Sequence, residues 1–445
     1  MTPIIALVGR VNVGKSTLFN RLTKSRGAIV TDVSGSTRDR NYGRGRIGGK
    51  PFIVVDTGGF EPEARDSLSQ EVAQQTELAI VEADVVVFMV DAKAGVLARD
   101  REIAQILRER CRRIVLAVNK SEANTEAAAE FHALGLGEPI PISAAHGSGV
   151  ADMIELALAD FAEQNEDEGE ANHPRIAIVG RPNVGKSTLI NTLLGENRVV
   201  VSDAPGTTRD AIYADFEKSG RRYTLIDTAG LRKRGKVTQA AEKFSMIKTL
   251  RAVDDSNVVI LVVDAQEISE QDATIAGLVL DSGRALVLAV NKWDIANADQ
   301  REHAKADIAR KLNFVAFAET HMISALHGRN LSGLMRAVDL AYRSAMAKIS
   351  TPRLTRALAQ AVAKHEPPRA GLTRPKLRYA HQGGVNPPCI VVHGSALKSV
   401  PKSYWRYLEH SFRAAFKLQG TPLRMQFKNA RNPYINSGTE SGFGR

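Results

Sequence analysis

Two eight-residue stretches of this 445-residue chain set a glycine-bounded loop, a lysine and a hydroxyl in the order that grips phosphate. They are Gly9-Arg10-Val11-Asn12-Val13-Gly14-Lys15-Ser16 and Gly180-Arg181-Pro182-Asn183-Val184-Gly185-Lys186-Ser187. Both fit G-x-x-x-x-G-K-[ST]. The glycines let successive backbone N–H groups turn inward around phosphate oxygens, and the helix N-terminus behind them adds its positive end. At these spacings Lys15 and Lys186 reach the β- and γ-phosphates, and Ser16 and Ser187 ligate Mg²⁺. Such a loop needs a strand to launch it and a helix to follow it. Apolar runs at Ile4–Val8 and Ile176–Val179 supply the strand, and helix-like runs at Thr17–Leu22 and Thr188–Leu194 supply the helix.

Further chemistry follows each loop in the same order. A polar stretch from Thr31 to Asp39 carries Thr37, and its copy from Asp203 to Asp210 carries Thr208. Strand-like Tyr42–Ile47 and Phe52–Asp56 flank Gly48-Gly49 as in a hairpin, and the second strand ends in Asp56-Thr57-Gly58-Gly59. A strand-end acid beside the phosphate loop can hold Mg²⁺ through water, and the Gly59 N–H can meet a γ-phosphate. The counterpart is Asp227-Thr228-Ala229-Gly230. Helix-like Ser67–Glu82 and Asp100–Glu109 then alternate with Val85–Asp91 and Ile114–Asn119, whose nearly unbroken apolar character suits a parallel sheet buried on both faces. Asn119-Lys120-Ser121-Glu122 and Ser143-Ala144 close strand-like runs, as do Asn291-Lys292-Trp293-Asp294 and Ser324-Ala325. Ligands of open α/β sheets bind at such strand ends. Gly9, Lys15, Thr37 and Asp56 recur 171 residues on, Asn119 recurs at 172 and Ser143 at 181, so the phosphate side of the repeat stays in register.

This ordered set resembles the translation-factor class of P-loop GTPases. The resemblance implies GTP as substrate, with Asn119 and Asn291 contacting the guanine ring and Lys120 and Lys292 packing over it. The Asp294 carboxylate would accept both guanine N–H donors and would face an acceptor in adenine. Glu122 stands where the class has Asp, a carboxylate extended by one methylene. Ser16, Thr37 and Asp56, and Ser187, Thr208 and Asp227, are the implied Mg²⁺ sets. Lys15, Thr37, Lys186 and Thr208 are the implied support for the transition state. Two such units in one chain narrow the likeness to the Der (EngA) family of bacterial ribosome-assembly GTPases, and the resemblance covers essentially the whole chain.

Many GTPases place a Gln directly after the D-x-x-G motif to orient the attacking water. Phe60 and Leu231 occupy those positions here and cannot hydrogen-bond a water. Slow intrinsic hydrolysis is therefore expected. Related GTPases with an apolar residue at this point use K⁺ beside the phosphates, held partly by an Asn of the loop. The resemblance thus assigns K⁺ to Asn12 and Asn183, where it would offset charge developing in the transition state.

The bulk properties point to a partner. The net charge of +11 lies at one end: residues 351–445 hold 16 Lys and Arg against 3 Asp and Glu, whereas the first 350 residues hold 44 basic and 46 acidic groups. An excess of that kind favours nucleic acid over membrane. No run approaches the ~20 apolar residues of a membrane span, and the strand-like start leaves no room for a leader. Only Cys111 and Cys389 are present, without metal-ligand spacing, as suits a reducing cytoplasm.

The expected architecture is α/β: two tandem Ras-like P-loop GTPase domains, 1–162 and 174–350, followed by a small α+β KH-like domain, 351–435. The acidic run 163–173 reads as a linker and 436–445 as a disordered tail. The C-terminal order is helix Arg353–Lys364, strands Lys376–His381 and Cys389–Val392, helix Lys402–Leu418 and strand Leu423–Lys428. The G-x-x-G loop that KH domains use to clamp nucleic acid is missing. Trp405, Leu408, Phe412 and Ala415/Phe416 read as core by their helical spacing. Lys402, Arg406, His410, Arg413 and Lys417, with Arg374, Lys376 and Arg378, read as a phosphate-contacting stripe. Positive charge without a stacking platform favours structured RNA recognised by shape. Arg232-Lys233-Arg234-Gly235-Lys236 adds a basic run directly after Leu231. The implied partner is the large ribosomal subunit and its rRNA, with no DNA or membrane and the chain a monomer. A competing reading is an RNA-binding scaffold in which only one G domain turns over GTP. A P-loop nucleoside kinase fits poorly, having no use for paired guanine-reading motifs.

Overall fold

The alternating pattern demands parallel sheets whose central strands are apolar throughout, and the computed structural model has two of them. It describes residues 2–23, 41–47, 50–57, 79–81, 83–111, 113–122, 126–161, 173–195, 198–202, 213–226, 246–369 and 374–429. The chain separates into two compact units, Met1–Asn172 with Ser245–Asp255, and His173–Phe244 with Ser256–Arg445.

In the first unit a six-stranded sheet runs in the order β2-β3-β1-β4-β5-β6. Its strands are β1 (Ile4–Gly9), β2 (Asn41–Ile47), β3 (Lys50–Asp56), β4 (Val85–Asp91), β5 (Ile114–Asn119) and β6 (Ile140–Pro141). All pairings are parallel except the β2/β3 hairpin. Every residue of β1, and all of β4 but Asp91, is buried, as the two-sided covering of a central parallel strand requires. Helices α1 (Lys15–Thr23), α2 (Ala98–Arg110) and α3 (Val150–Ala157) belong to the unit among the described residues, and Leu18, Phe19, Leu22, Met153 and Ile154 of α1 and α3 enter its core.

The second unit repeats this plan with seven strands in the order β13-β12-β11-β7-β10-β9-β8. These are β7 (Arg175–Val179), β8 (Arg198–Ser202), β9 (Tyr213–Lys218), β10 (Arg221–Ile226), β11 (Val258–Asp264), β12 (Ala285–Asn291) and β13 (Glu319–Met322). Edge strand β8 was not expected from the sequence. Its Val199-Val200-Val201 run pairs antiparallel with β9, which a reading centred on the polar stretch that follows overlooks. Helices α4 (Lys186–Gly195), α6 (Glu270–Ser282), α7 (Ala298–Lys311) and α8 (Leu331–Ala345) belong here, whereas α5 (Met246–Asp255) is grouped with the first unit.

The expected αββαβ order closes the second unit: α9 (Thr351–Lys364), β14 (Lys376–Gly384), β15 (Cys389–Ser395), α10 (Lys402–Phe416) and β16 (Arg424–Asn429). Both helices cover one face of the three-stranded sheet. Leu354 and Leu358 of α9 and Leu408 and Phe412 of α10 meet Ala380, Ile390 and Val392 in one core. Trp405 packs half-buried against this core, as its spacing predicts, and Tyr404, absent from the expected set, is buried beside it with its hydroxyl donating to the His365 carbonyl at 2.7 Å.

Backbone hydrogen bonds fuse this small domain to the preceding sheet. Leu286 at the start of β12 donates to the Gly420 carbonyl at 2.7 Å, Gly420 donates to Phe317 at 3.0 Å, and Asn386 donates to Ala345 at the end of α8 at 2.9 Å. Arg424 reaches the Asp281 carbonyl at 2.8 Å, and the Arg413 guanidinium lies 5.0 Å from the Phe317 ring centre. Gly420 is left-handed, with φ +66°, and a Cβ there would lie 2.5 Å from Ala341 Cβ. Gly420→Ala should therefore cost about 1–3 kcal/mol, the scale of a strained non-glycine backbone. Calorimetry of the full chain should show a lower thermal transition for the second unit and an unchanged one for the first.

Candidate functional site

Each phosphate loop leaves its central strand through a glycine that no other residue could replace. A Cβ on Gly9 would lie 2.3 Å from the Met89 carbonyl oxygen, and one on Gly180 would lie 2.3 Å from that of Val262. The lysine then folds back inside the loop. Lys15 Nζ donates to the carbonyls of Gly9 (3.0 Å) and Arg10 (2.6 Å), and Lys186 Nζ donates to that of Arg181 (2.6 Å). Burial is the main force on Lys15 and lowers its pKa to about 8, with Asp56 pulling it up and Arg10 pushing it down. Burial likewise raises Asp56, against the Ser16 hydrogen bond and the Lys15 charge. Asp56 Oδ1 is buried with no hydrogen-bond partner among the described residues. An orphaned carboxylate oxygen next to a hydroxyl suits Mg²⁺ and its water shell. Asn12 and Asn183 follow in left-handed backbone, with φ +66° and +64°, and both are exposed.

The asparagines at the ends of β5 and β12 tie these loops to the strand-end motifs. Asn119 Nδ2 donates to the Val13 carbonyl at 2.7 Å while its Oδ1 accepts from Ala144 N at 2.8 Å. Asn291 does the same with Val184 (2.8 Å) and Ala325 (2.9 Å). The amide sits so close that a Cβ on Gly14 or Gly185 would come within 2.3 or 2.2 Å of it. The following lysines are left-handed and each is held by an acid: Lys120 by Asp91 at 2.5 Å, Lys292 by Asp264 at 2.6 Å. Burial pushes the Asp91 carboxyl up, but hydrogen bonds from Lys120 and Lys93 N–H, with the Lys120 charge, hold it below its usual range. Ser121 and Trp293 turn away from this edge. The Ser121 hydroxyl donates to Val118 and the Trp293 ring lies under Arg301.

Glu122 and Asp294 are equivalent in their bonding despite the extra methylene. Ser143 Oγ donates to Glu122 Oε1 at 2.5 Å, and the bond from Ser324 is the chief reason Asp294 titrates low. The Ser143 bond is likewise the leading cause of the lowered Glu122 pKa. Each serine also accepts from a downstream backbone N–H, that of His146 or His327. The Ser-Ala loops are anchored differently: Arg21 donates to the carbonyls of Ala144 and Ala145, whereas Thr192 Oγ1 donates to that of Ala325 at 2.7 Å.

One duplicated contact escaped the sequence reading. Arg10 Nε donates to Asp100 Oδ1 at 2.7 Å, and Arg181 Nε donates to Asp272 Oδ1 at 3.0 Å. Both acids are fully buried. Their other oxygens cap the next helix, accepting from Leu97 N at 3.1 Å and from Ser269 N at 2.9 Å. The pairs therefore brace the phosphate loop against the N-terminus of α2 or α6. An acid three residues into a helix looks like an ordinary cap, and nothing local marks an arginine 90 or 91 positions away as its partner.

Thr37, Gly58, Gly59, Phe60, Thr208, Asp227, Thr228, Ala229, Gly230 and Leu231 lie outside the described residues, as do Arg232 to Lys236. The expected basic stripe of the C-terminal domain is only partly free. Arg413 is tied to Glu409 and to the Thr421 carbonyl, and Arg374 pairs with Glu366. Lys402, Arg406 and His410 remain exposed on α10.

Comparison with known proteins matches this geometry. The family described as "50S ribosome-binding GTPase" matches residues 4–120 and again 175–292. Residues 348–428 match the "KH-domain-like of EngA bacterial GTPase enzymes, C-terminal". The chain is 62% identical to GTPase Der of Bordetella pertussis over 444 residues, covering 97% of this chain and 98% of that protein. It is 61% identical to GTPase Der of Nitrosospira multiformis, covering 98% and 94%.

Two outcomes follow from the loop chemistry. Below pH 8 Lys15 is already charged. Above it, the phosphates must draw a proton onto the lysine, so GTP affinity at the first site should fall towards tenfold per pH unit. Calorimetry of the Lys186→Ala protein in two buffers of different ionisation enthalpy should register that proton uptake at pH 9. Asp272→Asn keeps an acceptor for the Ser269 N–H but loses the charge opposite Arg181. Measured in a Lys15→Ala background, it should weaken GTP at the second site several-fold, while the same change in a Lys186→Ala background leaves the first site untouched.

Proposed function

The chain belongs to the Der family of GTPases, and from that membership we propose that it is a GTP-driven switch assisting assembly of the large ribosomal subunit through rRNA contacts. It hydrolyses GTP to GDP and phosphate. The observation carrying the ribosomal reading is the fusion of a strongly basic domain, by backbone hydrogen bonds, to the sheet that bears the second nucleotide site. A change at the strand ends of that sheet then has a short covalent and hydrogen-bonded path to the RNA-contacting part.

In each unit the loop N–H groups and Lys15 or Lys186 bind and orient the phosphates. Ser16 and Asp56, and Ser187 with Asp227, would hold Mg²⁺, completed by Thr37 and Thr208. When bound, the metal neutralises charge on the β- and γ-oxygens. Guanine selectivity falls to Asp294 and Glu122, each held in place by its serine. The shared Ser143/Ser324 bonding supports two competent sites over a scaffold with one silent site. Phe60 and Leu231 leave the attacking water without a side-chain partner after D-x-x-G, which supports slow intrinsic turnover. Asn12 and Asn183, exposed on the loop beside the lysines, are the side chains available to a K⁺ ion. The chain acts as a cytoplasmic monomer in this reading. No helix among the described residues is long and apolar enough to cross a membrane.

Co-sedimentation with purified ribosomal subunits tests the central claim. Binding to the large subunit should require a non-hydrolysable GTP analogue and be lost with GDP, and binding indifferent to nucleotide would sink the switch. Replacing Na⁺ by K⁺ should raise turnover at least several-fold, and Asn183→Ala in a Lys15→Ala background should abolish that stimulation. Equal rates in both salts would remove the K⁺ assignment.

A further inference from the structure

We propose that the helix-free face of the C-terminal sheet is a stacking site for an unpaired RNA base, centred on Tyr379 and His393. The inference rests on the RNA-contacting role above and names the form of RNA this domain reads. Side chains alternate across a sheet. Ala380, Ile390 and Val392 point into the core under α9 and α10, so Tyr379, His381 and His393 lie on the other face. Cross-strand pairing sets Tyr379 opposite His393, and His393 opposite Lys428. The Tyr379 and His393 rings are parallel within 4°, with centroids 4.5 Å apart. His381 lies 5.0 Å from His393 at 27°, and 6.4 Å from Tyr379.

Three rings with nearly common orientation make a continuous aromatic stack with His393 in the middle, the platform missing from the sequence reading. Tyr379 has one ring face on His393 and is still 44% exposed, so a base can continue the stack on its outer side. His393 Nε2 is buried with no hydrogen-bond partner among the described residues, leaving unmet hydrogen-bonding capacity beside the stack. Such an atom in a protein calls for an explanation. Lys428 adjoins the rings, and Lys376 and Arg378 are exposed on the same strand as Tyr379. Stacking is tolerant of base identity, and losing one stacked base weakens binding roughly tenfold. An A-form duplex keeps its base faces covered. The site therefore selects unpaired over paired RNA, while the surrounding charge binds both.

Binding of the full-length protein loaded with a non-hydrolysable GTP analogue to a short fluorescent single-stranded RNA, and to a duplex of equal length, tests this. Tyr379→Leu, which keeps bulk and removes the π-face, should weaken the single strand about tenfold and leave the duplex unchanged. Tyr379→Phe should match the unmodified protein, and Lys428→Ala should weaken both RNAs by the same factor. Failure of the unmodified protein to bind single-stranded RNA would overturn the proposal. So would equal loss on both RNAs, or a Tyr379→Leu protein with lower thermal stability and intact RNA affinity. If the stacking pattern fails while nucleotide-dependent binding to the large subunit persists, only the stacking site falls. If stacking holds and the subunits are ignored, the ribosomal reading falls instead.

Discussion

A single buried amide in each unit joins what would otherwise be three independent loops. Asn119 and Asn291 each spend a donor on the phosphate loop and an acceptor on the Ser-Ala loop. Both amides are buried, where an unmet donor or acceptor costs ~1–3 kcal/mol. The phosphate loop and the Ser-Ala loop thus share one side chain in each unit. The second glycine of each loop is a consequence, because its missing Cβ is the space the amide fills. The left-handed lysine after each asparagine is another. Its strained backbone is of order 1 kcal/mol unfavourable, and the Asp91 or Asp264 carboxylate at the end of the neighbouring strand holds it there.

The legibility of the molecule followed the range of its interactions. The phosphate loops were readable because their chemistry lies within eight consecutive residues, and the sheets because a doubly covered strand must be apolar throughout. The guanine edge was readable only as ordered motifs. That Glu122 would take the same serine bond as Asp294 depends on how far Ser143 stands from it, which one-dimensional spacing does not contain. The Arg10–Asp100 and Arg181–Asp272 braces were illegible for the same reason. In the C-terminal domain a register shift between Leu377 and Tyr379 decides which side chains share a face. Strict alternation read from the sequence could not align Tyr379 with His393, and the ring cluster was missed. Helical spacing puts Arg413 in the phosphate-contacting stripe, but it packs over Phe317 of the neighbouring sheet.

Fusion of the basic domain to the second unit rests on a different economy. Much of the seam is made of backbone groups: Leu286, Ala345, Asn386 and Gly420 contribute N–H or C=O, and Phe317 contributes its carbonyl as well as the ring under Arg413. Such bonds are directional and short, so they resist sliding better than an apolar patch of similar size. The seam lies at the start of β12, and Asn291, which ties the phosphate loop to the Ser-Ala loop, lies at its end. A seven-residue strand buried along its whole length has little freedom to deform between them.

Comparing the two units separates what the chemistry fixes from what it leaves open. Contacts whose receiving group is main chain tolerate a change of donor: Arg21 and Thr192 are unlike in size and charge, and each holds the Ser-Ala loop through a carbonyl oxygen. Contacts in which a buried carboxylate meets a charge admit no such exchange, since removing either partner strands the other at ~3–5 kcal/mol. Arg10 with Asp100 and Arg181 with Asp272 are accordingly the same residues in the same roles. Glu122 falls between these cases. Its carboxylate must meet Ser143, but the group is exposed, so one extra methylene is absorbed by rotation into solvent without opening a void. The departure from the usual Asp thus lengthens the side chain at an exposed position of the motif.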